Sequence, residues 1–321
     1  MAHEVEQMAY TGAVPWHGLG NSISEDSTIE EWQVQAGLDW EVSKRPVLFQ
    51  APIHYEDGSV SAKNVPFKDK FVLARTTDDR PFSVVSGRYK PVQPKQILEF
   101  FRDLVSRFGM KIETAGSLRD GQRVWALANT KEAHKVMGID EIKGYLMLVT
   151  SYDLTFSTLA YFTSIRVVCN NTLQASFGDM VSTVKIPHVR EFDIDAVHTE
   201  LGVGKEQWEA FTKAMDTLAK IKLDAVKAEE VMGKVFQLTN DPVKDSVNKQ
   251  HIAKVLDLFS GRAIGSDIAG QTGWGLVNAT TEYLDYHKRA RGNGNRLDSA
   301  WFGDAFHTKQ RAVNETLLLA A

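Results

Sequence analysis

A single cysteine, Cys169, stands in 321 residues, so no intrachain disulfide can form and a reducing, cytosolic setting is expected. No apolar run approaches the roughly 20 residues that cross a bilayer, which argues against a membrane protein. The opening MAHEVEQMAY begins with acids and has no apolar core, so no signal peptide is expected. The motifs of the common catalytic classes are missing as well. There is no His-Glu-x-x-His pair and no cysteine pair, and the nine histidines are scattered, so no built-in metal or other cofactor is expected. Gly202-Val203-Gly204-Lys205 lacks the upstream glycine and the hydroxyl residue of a phosphate loop, and Gly18-Leu19-Gly20 is a fragment of a dinucleotide fingerprint. A two-metal site built from carboxylates distant in sequence stays open. An excess of positive charge is lacking too. With a formal net charge of -4, any nucleic-acid contact must be a local patch.

What is present is an ordinary globular composition, 43% hydrophobic and 24% charged, enough for one large domain or two smaller ones. Three segments differ in pattern. Residues 1–65 read as an N-terminal arm and irregular segment, with a short helix near 28–36 capped by Ser27 or Thr28 and a strand near Trp40 to Phe49. Residues 66–190 read as an α+β core. Lys70 to Arg75 and Pro81 to Val85 flank an Asp78-Asp79 turn, and Lys111 to Thr114 and Gln122 to Ala128 form a hairpin across Asp120-Gly121. Between them Ile97, Phe100, Phe101, Leu104 and Val105 fall on one helical face. Tyr145 to Thr150 and Leu154 to Val168 read as further strands. Residues 191–321 change to a 3.6-residue period. Trp208, Phe211, Met215, Leu218 and Ile221 make one stripe, and 272–287 and 304–319 read as helices. Strands first and helices second give an α+β fold: a mostly antiparallel sheet, then a helical layer or subdomain.

Candidate binding residues lie in two places. Arg166 ends a β-branched and aromatic run, where a guanidinium can fork to a phosphate or carboxylate, or equally to an ion pair within the fold. Asn170, Asn171 and Thr172 read as the cap of a following helix, whose N-terminus would also suit an anion. Cys169 reads as a small buried hydrophobe; a nucleophilic role would need a lowered pKa. The second place is 287–296, where Lys288, Arg289, Arg291 and Arg296 fall among glycines and asparagines with no acid. Such a run suits either phosphates or the negative end of a helix. His17, in Trp16-His17-Gly18-Leu19-Gly20, has no acid or nucleophile motif nearby, and a packed turn or a docking arm is the simpler reading.

Three stretches together resemble one family. They are MAHEVEQMAYTGAVPWHGLG with AGLDW at 36–40, the central SIRVVCNNTL at 164–173, and GWGLVNATTEYLDYHKRAR with SAWFGDAFHTKQRA. The chain resembles, in this order and over nearly its whole length, the phage/plasmid-like proteins of domain of unknown function 932. Where that family commonly has a His-Asp-Gly-Ser-like sequence, this chain has Tyr152-Asp153-Leu154-Thr155, so no histidine role carries over. The resemblance implies a mobile genetic element in a bacterial cytoplasm. Joined to the residues above, it gives the expectation of a nucleic-acid-binding accessory protein, in DNA recombination or single-strand annealing. Single-stranded DNA is the expected partner, self-association is anticipated, and Arg166, Asn170, Asn171, Lys288, Arg289, Arg291 and Arg296 are the expected contacts. Two alternatives stand beside it. One is a nucleotide- or nucleic-acid-modifying enzyme around Arg166, Cys169 or His17. The other is a counter-defence or scaffolding protein that presents Trp208, Phe211 and Met215.

Overall fold

The structure, a computed structural model, describes residues 5–12, 19–166, 172–173, 184–200, 205–239, 241–289, 299–300 and 303–320. Its first helix shows how local chemistry sets an element. Thr28 stands in extended backbone and accepts from the Glu31 N–H, while the Glu31 carboxylate accepts from the Thr28 N–H, and helix α1 (Ile29–Gln35) starts at that reciprocal cap.

The centre is an antiparallel sheet of β6 (Lys111–Leu118), β7 (Arg123–Val136), β8 (Asp140–Ser151) and β9 (Thr158–Arg166). β1 (Val5–Tyr10) pairs antiparallel with β6, and the two-residue β2 (Asn21–Ser22) lies parallel to β1. β10 (Thr172–Leu173) and β11 (Val184–Ile186) both pair with β9. Side chains alternate as a pleated sheet requires. Val124, Ala126, Ala128, Leu146 and Leu148 face one core, and Trp125, Leu127, Tyr145, Met147 and Val149 face the other. The small alanines leave room for Phe100 and Phe101 of α2 (Pro94–Phe108), which meet edge to face 5.0 Å apart. Gly116 is required by a close approach, since a Cβ there would stand 2.5 Å from the Gln7 carbonyl oxygen.

A second, three-stranded sheet has the order β3 (Val42–His54), β4 (Val60–Arg75) and β5 (Pro81–Ser86). The segment read as irregular therefore supplies a central-sheet strand and most of a long hairpin. In the outer part of that hairpin Phe49, Ala51 and Ile53 alternate with polar residues and proline, but no position there is fully buried.

The C-terminal helices are α3 (Ile194–Glu200), α4 (Lys205–Lys220), α5 (Ala225–Val235), α6 (Pro242–Asp257), α7 (Ser266–Ala269), α8 (Gly273–Glu282) and α9 (Asp304–Leu317). α8 is buried at every position and continues through a wider turn, Tyr283–His287. Its polar residues turn inward on the backbone: Asn278, Thr280 and Thr281 donate to the carbonyls four residues back. The helical layer seats on the ends of β7 and β8, where Val136 and Ile142 join Phe211, Met215, Leu218, Trp274 and Val313 in one cluster. Trp274 Nε1 donates to the Asp140 carboxylate at 2.7 Å across that junction.

Two expectations are corrected. Thr172 does not cap a helix. It pairs with Ile165 in an antiparallel bridge, so the chain returns along β9. Phe211 and Met215 are not a free apolar patch. They are buried, and Trp208 stacks on Phe211 over Gly144, where a Cβ would lie 2.9 Å from the indole.

Candidate functional site

The turn between β6 and β7 puts Arg119, Asp120 and Gly121 in left-handed backbone and brings arginines to one end of the sheet. These arginines meet carboxylates from distant segments. Arg75 is clamped by Asp78 at 2.9 and 2.7 Å and by Glu6 at 2.7 Å. The paired hydrogen bonds to Asp78 raise the guanidinium pKa, and the same contacts hold the Asp78 carboxyl well below the usual range. Arg80 bridges to Asp78 and Asp120. Arg123 reaches Asp153 at 3.3 Å and Thr155 at 3.0 Å, with its guanidinium 5.1 Å from the Phe156 ring centre. Arg119 stands 4.0 Å from the same Asp153 carboxylate. Burial works against ionising Asp153, but bonds from Ser151 and Thr155 and the charge of Arg123 outweigh it and lower its pKa. Lys111 is held by Glu25 on the surface. The strand-region cations Lys111, Arg119 and Arg123 thus lie in ion pairs with carboxylates of the fold.

Beside this lattice lies a buried chain of hydroxyls and an imidazole. His188 Nε2 accepts the Thr158 N–H at 3.0 Å, which leaves the ring proton on Nδ1, facing the Tyr89 hydroxyl. The Thr158 hydroxyl lies 3.0 Å from the same Nε2 and 2.8 Å from the Thr150 hydroxyl. Burial pushes the His188 pKa down to about 4, so the ring is neutral at pH 7. Burial, with the Asp153 charge adding to it, raises Tyr89. A hydroxyl beside an imidazole resembles a nucleophile and its base, yet Thr158 is fully buried and the imidazole already takes a backbone N–H. The arrangement is a clasp that ties the chain after β5 and the chain after β11 to β9.

Of the expected contacts, Arg166 closes β9 opposite Ile142. Lys288 and Arg289 follow α8. The Lys288 N–H donates to the Tyr283 carbonyl at 2.7 Å, its side chain is half-buried, and Arg289 is exposed. Burial, together with the Lys288 charge, lowers the pKa of His251. Neither Lys288 nor Arg289 forms a salt bridge among the described residues. Asn170, Asn171, Arg291 and Arg296 lie outside the described residues, as do His17 and Cys169. Ile142, the neighbour of Arg166, packs with Trp274 at the start of α8, whereas the basic run begins at the far end, about 20 Å along the helix axis. The backbone of Arg166 thus pairs with a strand residue whose cluster includes the start of α8 and not its basic end.

An open cleft of about 400 Å³, announced by no motif, lies beside α1. Its floor is Ile29, Trp32 and Ile112, and Glu25, Asp26, Glu30, Arg102 and Lys111 stand around it. No group of three His, Cys, Asp or Glu side chains is arranged to hold a metal ion among the described residues. Nor is any described helix long and apolar enough to cross a membrane.

These features define an α+β protein whose antiparallel sheet carries a helical layer on one end. The chain belongs to the family described as Domain of unknown function (DUF932), whose model matches residues 81–301. No curated protein matches the chain, and no solved structure does.

Proposed function

We propose that this is a nucleic-acid-binding accessory protein of a phage or plasmid, acting on single-stranded DNA in recombination or strand annealing. The observation that carries the reading is the basic run at the end of α8. In a chain of net charge -4, Lys288, Arg289, Arg291 and Arg296 fall within nine residues without an acid. The strand-region cations are meanwhile paired, Lys111 with Glu25 and both Arg119 and Arg123 with Asp153. A rigid, fully buried helix fixes the base of the run, so a phosphate contact there would be held in position by the fold. The acidic remainder of the molecule confines binding to this run and makes it steeply dependent on salt.

The test is fluorescence polarisation with a labelled single-stranded oligonucleotide over a salt series. Binding at low salt is expected, and Arg289→Ala with Arg291→Ala should weaken it about 10-fold or more and flatten the salt slope by about one to two. Absence of binding at low salt, or a double variant that binds as tightly as the parent, overturns the reading.

A further inference from the structure

The β3–β4 ribbon outruns its support. β5 pairs with β4 only from Lys70 to Ala74, while the ribbon continues through seven further register pairs, Leu48↔Pro66 to His54↔Val60. That is about 23 Å of two-stranded sheet. Leu48, Phe49, Tyr55, Val60 and Phe67 are all exposed there, within twenty residues of one another. A two-stranded ribbon with apolar side chains in water is marginal alone, and a local concentration of exposed apolar groups marks a protein contact.

The ribbon's edges are closed to strand addition. Pro52 and Pro66 lie in the same set of register pairs, one on each strand. A proline in a ladder must sit where its missing N–H would have pointed outward, so each outer edge lacks a donor. Contact must then be made through a face. Residues opposite one another share a face, which places Phe49, Ala51, Ile53 and Tyr55 with Val65, Lys63 and Ser61. This face carries the exposed Phe49 and Tyr55 with the half-buried Ala51, Ile53 and Val65 and one cation at its middle, while Leu48 and Val60 lie on the opposite face. Lys68 and Lys70 follow in the bulge at its base.

We propose that this outer ribbon is a docking arm, and that its occupant site is the cleft beside α1 on a second copy of the chain. The cleft offers the complementary surface: an apolar floor of Ile29, Trp32 and Ile112, and a rim on which three acids, Glu25, Asp26 and Glu30, outnumber two cations, Arg102 and Lys111. Glu25 is engaged by Lys111, whose charge Asp26 also faces, while Asp26 and Glu30 form no salt bridge among the described residues and Glu30 remains to meet Lys63. The volume of about 400 Å³ admits an aromatic ring such as that of Phe49. Arm and cleft are different surfaces of one molecule, so the contact is head to tail and repeats from copy to copy, closing into a ring or running on as a filament. This inference does not depend on nucleic-acid binding.

Light scattering on the full-length chain tests it, with an arm variant (Phe49→Asp with Val65→Asp) and a cleft variant (Asp26→Lys with Glu30→Lys). The parent should assemble as its concentration rises, and each variant alone should stay at the mass of one chain. Mixed together, the variants should form one-to-one pairs and stop, because one retains the cleft and the other the arm. Lys63→Glu is the milder arm variant if the first proves unstable in a thermal melt, and Glu30→Lys alone serves likewise for the cleft. A parent that stays monomeric, a variant that assembles like the parent, or a mixture that never pairs overturns the proposal. So does a monomeric parent whose arm variant loses oligonucleotide binding, since the ribbon would then serve nucleic acid.

Discussion

The two halves of the β3–β4 ribbon are alike in composition and opposite in environment. Near the root, Val42, Leu73 and Ala74 are buried, while Trp40, Phe82 and Tyr152 meet within 6.0 Å of one another. Toward the tip, Leu48 and Phe49 stand in solvent. The divide is the bulge at Phe67–Lys70, where Asp69 takes a positive φ of 57° and its carboxylate accepts the Gly87 N–H at 2.9 Å. β5 ends its pairing there. Apolar content is therefore not what separates root from tip. A third strand and a layer of aromatic rings cover one half and not the other.

Substitutions can break or sharpen that contrast. Leu73→Ala at the root should cost about 3 kcal/mol in urea denaturation, through lost burial and the cavity left behind. The His188 clasp, which ties the chain just after β5 to the central sheet, should give an effect of similar size that appears only in acid. Its folded pKa of about 4 lies below the ordinary 6.5, so the unfolded chain binds the extra proton. That contribution is fully present above pH 6.5 and is lost as the pH falls toward 4, by roughly 3 kcal/mol. His188→Gln should flatten most of this slope, and His251, lowered by burial, leaves a smaller remainder of the same sign. A slope unchanged by the substitution would show that the imidazole is not buried as described. Arg75→Ala, at the last residue of the root strand, should cost about 2 kcal/mol, less than a fully buried pair because Asp78 is partly exposed. Thr28→Ala, which removes the cap of α1, should cost about 1 kcal/mol. Phe49→Ala at the tip should fall within about 0.5 kcal/mol in dilute solution. A large loss there would mean that the tip is already covered by a partner under those conditions.

Helices were legible wherever a stripe or a cap was. Ser27 or Thr28 announces the start of α1, and the structure selects Thr28; the spacing of Trp208, Phe211, Met215 and Leu218 announces α4 and the face it buries. The Asp120-Gly121 signal places the β6–β7 turn where the backbone turns left-handed. Of the outer ribbon only the stretch to Phe49 was read as a strand: Ala51 and Ile53 continue the alternation, but it is short and no position there is fully buried. Pro52 and Pro66 even argue locally against a strand. Thr172 misled for a related reason, since a hydroxyl residue after two asparagines suits a helix cap and a β-turn return equally. At the candidate site, the positions of Lys288 and Arg289 after α8 could be read, but the fate of the sheet cations could not. Arg123 finds Asp153 30 residues away and Lys111 finds Glu25 86 residues away, and no local pattern reports such partners.

The bond from Trp274 to Asp140 carries a consequence for how the chain unfolds. Asp140 is fully buried at the tip of the β7–β8 hairpin, and the indole that donates to it belongs to a helix 134 residues later. Were the helical layer to peel away, that carboxylate would lose the indole's hydrogen bond and Val136 and Ile142 would lose their cover together. Sheet and helices should then unfold as one cooperative unit, and a calorimeter should record a single endotherm, with tryptophan emission changing at the same temperature as the far-ultraviolet signal.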